Sequence, residues 1–308
     1  MKKIENVLIV GATGHLGQKV ATEAIRAGYK VRVLIRPGSD GGKLVKLGAK
    51  VVMGNLLDCE SLESAVAGCD AVITTAIGYS NRKKGDFRSA ADRIGNRNLI
   101  DSASKTNIQR FVFCSVLTCD QAPLVPHFWD KKLVEDYLEE KAMPFISLRP
   151  GAFLDQGTGD FWAGGLKKGV LRFAANPAVP LTFLHTSDLA IYFVKSLGIK
   201  PESAAEKIDI GCDRAVSIKE LAEIMARFLE RPIRVQVPPW SLVRLILGVG
   251  SLFNPWLCDL LSMMAYIQKG GYVADTKKQK KYFGEPPSIE ASIQHYLSDI
   301  KLLGGSND

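Results

Sequence analysis

Short apolar runs rich in β-branched residues alternate with segments of helical period through the first half of the chain. The runs are Asn6–Val10, Lys30–Ile35, Lys50–Met53, Ala71–Thr75, Arg110–Cys114 and Phe145–Leu148. They are apolar at consecutive rather than alternate positions, as expected of strands covered on both faces, and so of a parallel sheet between two helical layers. Helices are expected near Leu16–Ala27, closed by Gly28, and near Ser61–Val66, Asp92–Lys105 and Lys131–Lys141. The alternation predicts a doubly wound α/β fold. Further on, Lys207–Ile210 reads as a late strand rejoining the sheet. Ser217-Ile-Lys-Glu220 has the form of a capping box, and Asp188 before Leu-Ala-Ile-Tyr-Phe reads as a helix N-cap. The predicted division is an α/β core over 1–155, rejoined by 183–212, with 156–182 and 213–308 forming a smaller C-terminal lobe. That lobe is expected at the sheet's C-terminal edge, where open α/β sheets bind ligands.

The first strand runs straight into Gly11-Ala-Thr13-Gly14-His15-Leu16-Gly17, which opens the first helix. Three glycines alone say little; a β-branched strand before them and a helix after them make a nucleotide-binding turn. Such a turn brings backbone N–H groups and the positive end of a helix dipole up to a pyrophosphate. The alternative is a tight turn that binds nothing. About twenty residues on, at the end of the second strand, dinucleotide-binding chains choose between cofactors. The residue there is Arg36, not an acid. A guanidinium pairs with a 2′-phosphate and stacks on adenine, so NADP is expected, with NADPH preferred over NADH. Ser39 and Lys43 are placed to add a hydroxyl and a charge.

Composition changes this picture only at the edges. With 308 residues and 46% apolar content the chain can bury a large core. Met1-Lys2-Lys3 precedes an apolar stretch too short for a signal peptide, and it reads as the lead-in to a strand. Six cysteines without a CxxC pair, and no histidine in metal-ligand spacing, point to reduced thiols, no metal and a cytoplasmic protein. The net charge of +8 has one dense cluster, Lys277, Lys278, Lys280 and Lys281, without interleaved aromatics. It reads as a solvated face, with no nucleic-acid partner. The most hydrophobic stretch, 241–264, is broken by Arg244, Asn254, Pro255 and Asp259, so no transmembrane segment is expected. Three roles fit it: the cap of a greasy cleft, a homo-oligomer surface, or an amphipathic hairpin in peripheral membrane contact.

Taken in order, several segments resemble the atypical short-chain dehydrogenase/reductase superfamily, specifically its NmrA-like branch of NAD(P)-binding proteins. They are the glycine turn, Arg36, Gly54-Asn-Leu-Leu-Asp58, Thr74-Thr-Ala76, Gly95-Asn-Arg-Asn98, Arg110-Phe-Val-Phe-Cys-Ser115, Pro126-His-Phe-Trp-Asp-Lys131 with Glu135, Leu148-Arg-Pro-Gly151, Phe183-Leu-His-Thr-Ser-Asp188 and Tyr282-Phe-Gly-Glu-Pro286. The resemblance implies a Rossmann core with Gly11, Thr13, Gly14, His15, Leu16 and Gly17 at the phosphates. It places Asn55 and Leu56 beside the adenine, Thr75 and Ala76 along the phosphate-ribose stretch, and Pro150 to Phe153 on the nicotinamide side. The family usually shows Asp where this chain has Asn55.

Enzymes of the superfamily carry Tyr and Lys four residues apart, one helical turn, so both face the same way. Lys holds the ribose and steadies a phenolate, while Tyr moves the proton that accompanies hydride transfer. Here those places hold His127 and Lys131, with Lys132 directed elsewhere on the helix. The catalytic Ser is also missing: Ser115 and Thr118 are near, but the register puts Val116 in its place. His185 and Asp188 read as architecture. Two functions therefore stand. One is an NADPH-dependent reductase of a lipophilic small molecule such as a quinone, enone or aromatic compound, with Phe153, Phe161, Trp162 and Phe173 suited to its cleft. The other is a non-catalytic NADP(H)-binding sensor or assembly subunit acting through a protein partner.

Overall fold

The computed structural model describes residues 3–77, 90–155 and 162–303. Its strands are β1 (Asn6–Val10), β2 (Lys30–Ile35), β3 (Lys50–Met53), β4 (Ala71–Thr74), β5 (Arg110–Cys114), β6 (Phe145–Pro150), β7 (Ala152–Phe153), β8 (Val170–Arg172), β9 (Phe183–Leu184), β10 (Ala205–Ile210) and β11 (Arg234–Gln236). The first helices are α1 (His15–Arg26), α2 (Gly42–Lys46), α3 (Cys59–Val66), α4 (Asn96–Ser104), α5 (Pro126–Glu140) and α6 (Ala163–Lys167). They are followed by α7 (Thr186–Lys195), α8 (Ile218–Leu229), α9 (Trp240–Ser251), α10 (Pro255–Ile267), α11 (Lys277–Phe283) and α12 (Ile289–Asp299).

The main sheet runs β3-β2-β1-β4-β5-β6-β10, with every pairing from β3 to β6 parallel. Both faces are covered, as the continuous apolar runs require: in β1 the residues Val7, Leu8 and Ile9 are all fully buried. One core cluster joins Leu8, Val72, Phe111, Phe113 and Phe145 of the sheet to Leu62, Leu99, Ile100, Val134 and Leu138 of α3, α4 and α5. Gly28, at φ +84, closes α1 in the Schellman pattern: Gly28 N donates to Ile25 O and Tyr29 N to Ala24 O.

The chain divides into two compact units. The first comprises Met1–Asp120, His127–Arg149 and Thr186–Ile208; the second comprises Gln121–Pro126, Pro150–His185 and Asp209–Asp308. In the second unit β7 pairs with β9, β8 with β11, and α9 packs on α10.

Several elements differ from the sequence expectation, each for a local reason. The helix expected from Lys131 begins at Pro126, because a proline in the first turn gives up no needed N–H. The segment expected as one helix from Asp92 is a π-helix over Ala90–Gly95 that passes into α4. Asp188 is not the N-cap: α7 starts at Thr186, so its carboxylate lies in the first turn, beside the helix dipole's positive end. Only half of the capping box forms. Ser217 Oγ accepts from Glu220 N, while the Glu220 carboxylate pairs with Arg214.

A buried polar network fixes α5 on the sheet. Glu135, fully buried, accepts from Ser147 Oγ at 2.6 Å and from Arg149 Nε and Nη2 at 3.0 and 2.5 Å. Arg149 Nη1 also donates to Asp120 at 2.8 Å. Burial works against its charge, but the hydrogen bonds and charge of Glu135, together with Cys119 and Asp120, hold the guanidinium more firmly charged than usual. Removing one partner of a buried pair strands the other. Glu135→Leu is therefore expected to cost about 3–5 kcal/mol in denaturant-unfolding stability. A cost below about 1 kcal/mol would show that the pair does not hold α5 in place.

Candidate dinucleotide site

In the sheet order the chain reverses direction between β1 and β4, the crevice where open α/β sheets take ligands. The turns after these two strands meet there. Gly11 has φ +86, and a Cβ on it would lie 2.8 Å from both Ala76 N and Thr75 Oγ1. A Cβ on Gly17, buried in α1, would lie 2.1 Å from Gly11 O. Both glycines are thus demanded by the fold itself.

Gly14 is different. It is exposed, with φ −78 in the ordinary extended region, and its Cβ would meet only Gly11 O, at 3.3 Å. It is the N-cap of α1, whose first turn no side chain caps. The missing side chain leaves open the approach to the helix's first N–H groups, as a pyrophosphate would need. Around it Thr13 and His15 are exposed and Leu16 is half-buried; His15 Nε2 lies 3.2 Å from Thr186 Oγ1.

Arg36 follows β2 directly and is exposed; a turn in which Ser39 N donates to Arg36 O folds Ser39 back beside it. Lys43 lines a separate cleft on the flank of α1 with Lys19, Glu23 and Arg26. After β3, Asn55 is exposed and its Oδ1 accepts from Leu57 N, a bond that Asp would make equally well. Leu56 is tied in place by Asn98 Nδ2, which donates to its carbonyl at 3.1 Å. At the end of β4, Thr75 N donates to Val10 O, which anchors the turn that carries Ala76.

Lys131 is buried beside these turns. Its Nζ lies 3.3 Å from Ala76 O, 3.2 Å from Asp92 Oδ1 and 5.0 Å above the Phe113 ring. Lys132 points elsewhere, to Asp136 and toward the Trp129 ring. His127, Lys131 and Glu135 follow one another at one-turn intervals along α5, so the network that fixes Glu135 also aims the two residues before it. His127 is buried, its ring edge-on to Phe128 at 4.6 Å. Sequence reasoning missed Asp92, which it read only as a helix start; no linear spacing links it to Lys131.

The polar side chains of the loop after β5 are engaged locally. Ser115 Oγ lies against Cys119 Sγ at 3.6 Å, and Thr118 Oγ1 donates to the neighbouring Leu117 carbonyl. Thr118 takes φ 57, which is strained for a β-branched residue. Burial pushes the Cys114 thiol up to about 11 and, with the Glu135 charge, that of Cys119 up to about 12. Both stay protonated near neutral pH.

The remaining predicted residues lie in the second unit. Pro150 ends β6, and Phe153 in β7 pairs in register with Leu184. Trp162 Nε1 donates to Arg172 O, and Phe173 is half-buried; Phe161 lies outside the described residues. His185 is fully buried, its Nε2 3.2 Å from Asp299 Oδ2 and 3.4 Å from Asp155 Oδ2, and its ring stacks on His295 at 3.9 Å. This cluster fastens α12 beside β9, and nothing in the sequence spacing announces it.

A parallel sheet in this order, with a glycine turn at its switch point, defines a Rossmann-like α/β protein. More narrowly, residues 3–300 match the NmrA-like family, and the chain belongs to it. Among characterised relatives it is similar to the photosystem II assembly factor Ycf39 of Synechocystis sp., 26% identical over 298 residues, covering 95% of this chain and 90% of that protein. Among solved structures it is similar to the NADPH-dependent quinone oxidoreductase QOR2 of Escherichia coli complexed with NADPH. The TM-score is 0.76 at 20% identity, over 94% of this chain and 99% of that one. The Citrobacter sp. triphenylmethane reductase complexed with NADP(H) gives 0.77 at 14% identity, over 95% and 100%. The last two likenesses are of fold.

The glycines separate folding from binding. Gly17→Ala is expected to lower stability by about 1–3 kcal/mol, because its methyl collides with backbone. Gly14→Val is expected to keep the wild-type circular dichroism, with a modest loss of stability of about 1 kcal/mol from the poorer N-cap, while NADPH and NADH affinity fall at least tenfold. A folded Gly14→Val protein with undiminished affinity would place the phosphates elsewhere.

Proposed function

We propose that this protein is an NADPH-dependent reductase of a lipophilic small molecule such as a quinone, enone or aromatic compound. The observation that carries the reading is the buried Lys131 ammonium beside Ala76, at the switch point of a complete glycine turn. In this role Gly14 admits the pyrophosphate to the N-terminus of α1, Arg36 and Ser39 take the 2′-phosphate, and Lys131 holds ribose hydroxyls. The bound cofactor supplies a hydride. The protein's part is to orient and to exclude water, with His127 or solvent returning the proton. Six free thiols fit the reducing compartment expected from the sequence, the cytoplasm.

A second reading rests on the likeness to an assembly factor and on the missing Tyr: a cofactor-binding sensor or assembly subunit acting through a protein partner. NADPH oxidation across a carbonyl, quinone and enone panel separates the two. Firm NADPH binding without turnover on any of them would favour the second.

Arg36→Ala is expected to weaken NADPH by roughly tenfold or more and to leave NADH nearly unchanged, as read by titration of both cofactors. Equal losses would remove the 2′-phosphate assignment.

Lys131→Ala is expected to reduce turnover or cofactor affinity well beyond Lys132→Ala. It also takes the Lys131 charge away from the buried Asp92 carboxylate, so an Asp92→Asn, Lys131→Met double variant serves as the control for stability. Lost binding in a stably folded double variant is the expected result; binding equal to wild type would deny Lys131 its role. His127→Phe is expected to slow turnover with NADPH affinity preserved, and an unchanged rate would leave solvent as the proton source.

A further inference from the structure

We propose that the α9–α10 hairpin docks the protein on an anionic lipid surface, its apex entering the boundary between headgroups and acyl chains. The inference is independent of the reductase reading. Leu242, Leu245, Ile246 and Val249 are spaced to share one stripe of α9, and all four are exposed, from 45% to 63%. In α9 only Val243 is buried. The apex that follows is more open still, with Leu252 at 78% and Phe253 at 85%. α9 packs on α10, and Gly250 permits the close approach: a Cβ there would lie 2.5 Å from Leu257 Cδ1. The apolar stripe is thus turned outward, the reverse of what an ordinary surface helix does.

Charge selects the occupant. Over residues 240–269 the exposed charges are Arg244 and Lys269, both positive, while the sole carboxylate, Asp259, is fully buried. A second copy of the chain would bring Arg244 toward like charge with no exposed acid on the hairpin to meet it. Anionic headgroups supply that partner, and the chain as a whole carries +8. Trp240, Trp256 and Tyr266 are half-exposed on the same hairpin, with the ring chemistry that favours a membrane interface. Among the described residues no helix is long and apolar enough to cross a membrane, and helices of 12 and 13 residues suit shallow insertion.

The test is co-sedimentation of the full chain with vesicles of phosphatidylcholine mixed with phosphatidylglycerol, and with phosphatidylcholine alone. Binding is expected to the anionic vesicles and to weaken with added salt. Changing both apex residues, Leu252→Asp with Phe253→Asp, is expected to reduce it at least tenfold with the melting temperature unchanged, since neither side chain is packed. Arg244→Gln is expected to reduce it less. Failure to sediment with anionic vesicles would overturn the proposal, as would equal binding by the apex variant. It would also fall if light scattering showed a dimer that the apex variant dissolves, for then a second copy covers the stripe.

Discussion

The turn between β1 and α1 can close only because neither Gly11 nor Gly17 carries a side chain. Backbone meets backbone there: the Gly11 carbonyl occupies the space where a Gly17 Cβ would sit, and the β4 turn presses on Gly11 from the other side. That contact fixes where α1 points, and so where its dipole and first N–H groups are aimed. Other features of the first unit follow from it. Val20, Ala21 and Ala24 are buried along α1, which packs against α7, and Lys19 Nζ reaches Ser187 Oγ at 3.0 Å. Gly14, between the two constrained glycines, is held less strictly: its φ is ordinary, and a Cβ on it would meet only Gly11 O, at 3.3 Å, against 2.1 Å for Gly17.

A second constraint works at longer range. Burying Glu135 and Arg149 together yields little net stability, because desolvation offsets their attraction, but it makes every other roll of α5 costly. The orientation it enforces puts Lys131 under the β4 turn, where Asp92 meets its charge. Two buried ion pairs on one helix therefore define a direction more than they hold the fold together. The protonated Cys119 thiol beside Glu135 belongs to the same network.

The architecture was legible in the sequence because strands buried on both faces leave an apolar run that needs no partner to be read. The glycine turn was legible because its three glycines lie within six positions of one another, directly between a strand and a helix, even though part of the steric demand on Gly11 comes from Thr75 and Ala76 far along the chain. What escaped was tertiary. Asp92 meets Lys131 across a gap in sequence with no periodicity, and the π-helix that carries Asp92 has no propensity signature of its own. Asp188 resembled a cap because an acid before an apolar run favours any first-turn position, and the helix simply began two residues earlier. The cluster of His185, His295, Asp155 and Asp299 is assembled from three distant stretches of the second unit, and no spacing rule could have gathered it.

On the reductase reading proposed above, the missing Tyr and Ser bear on the kind of reduction more than on reduction itself. Hydride transfer to a ketone places charge on an oxygen that must be protonated as the bond changes, so it depends on an acid held at that oxygen. Addition to a quinone or a conjugated enone spreads the charge over the π-system, and the proton can arrive afterwards from solvent. On that reading, a cation held at Lys131 with His127 where the superfamily's enzymes carry Tyr favours the second class over the first. The hydrophobic hairpin points the same way chemically, since quinones partition into the apolar phase that such an element would meet. A lipophilic acceptor delivered at a membrane surface would satisfy both features at once, and neither feature requires the other to be true.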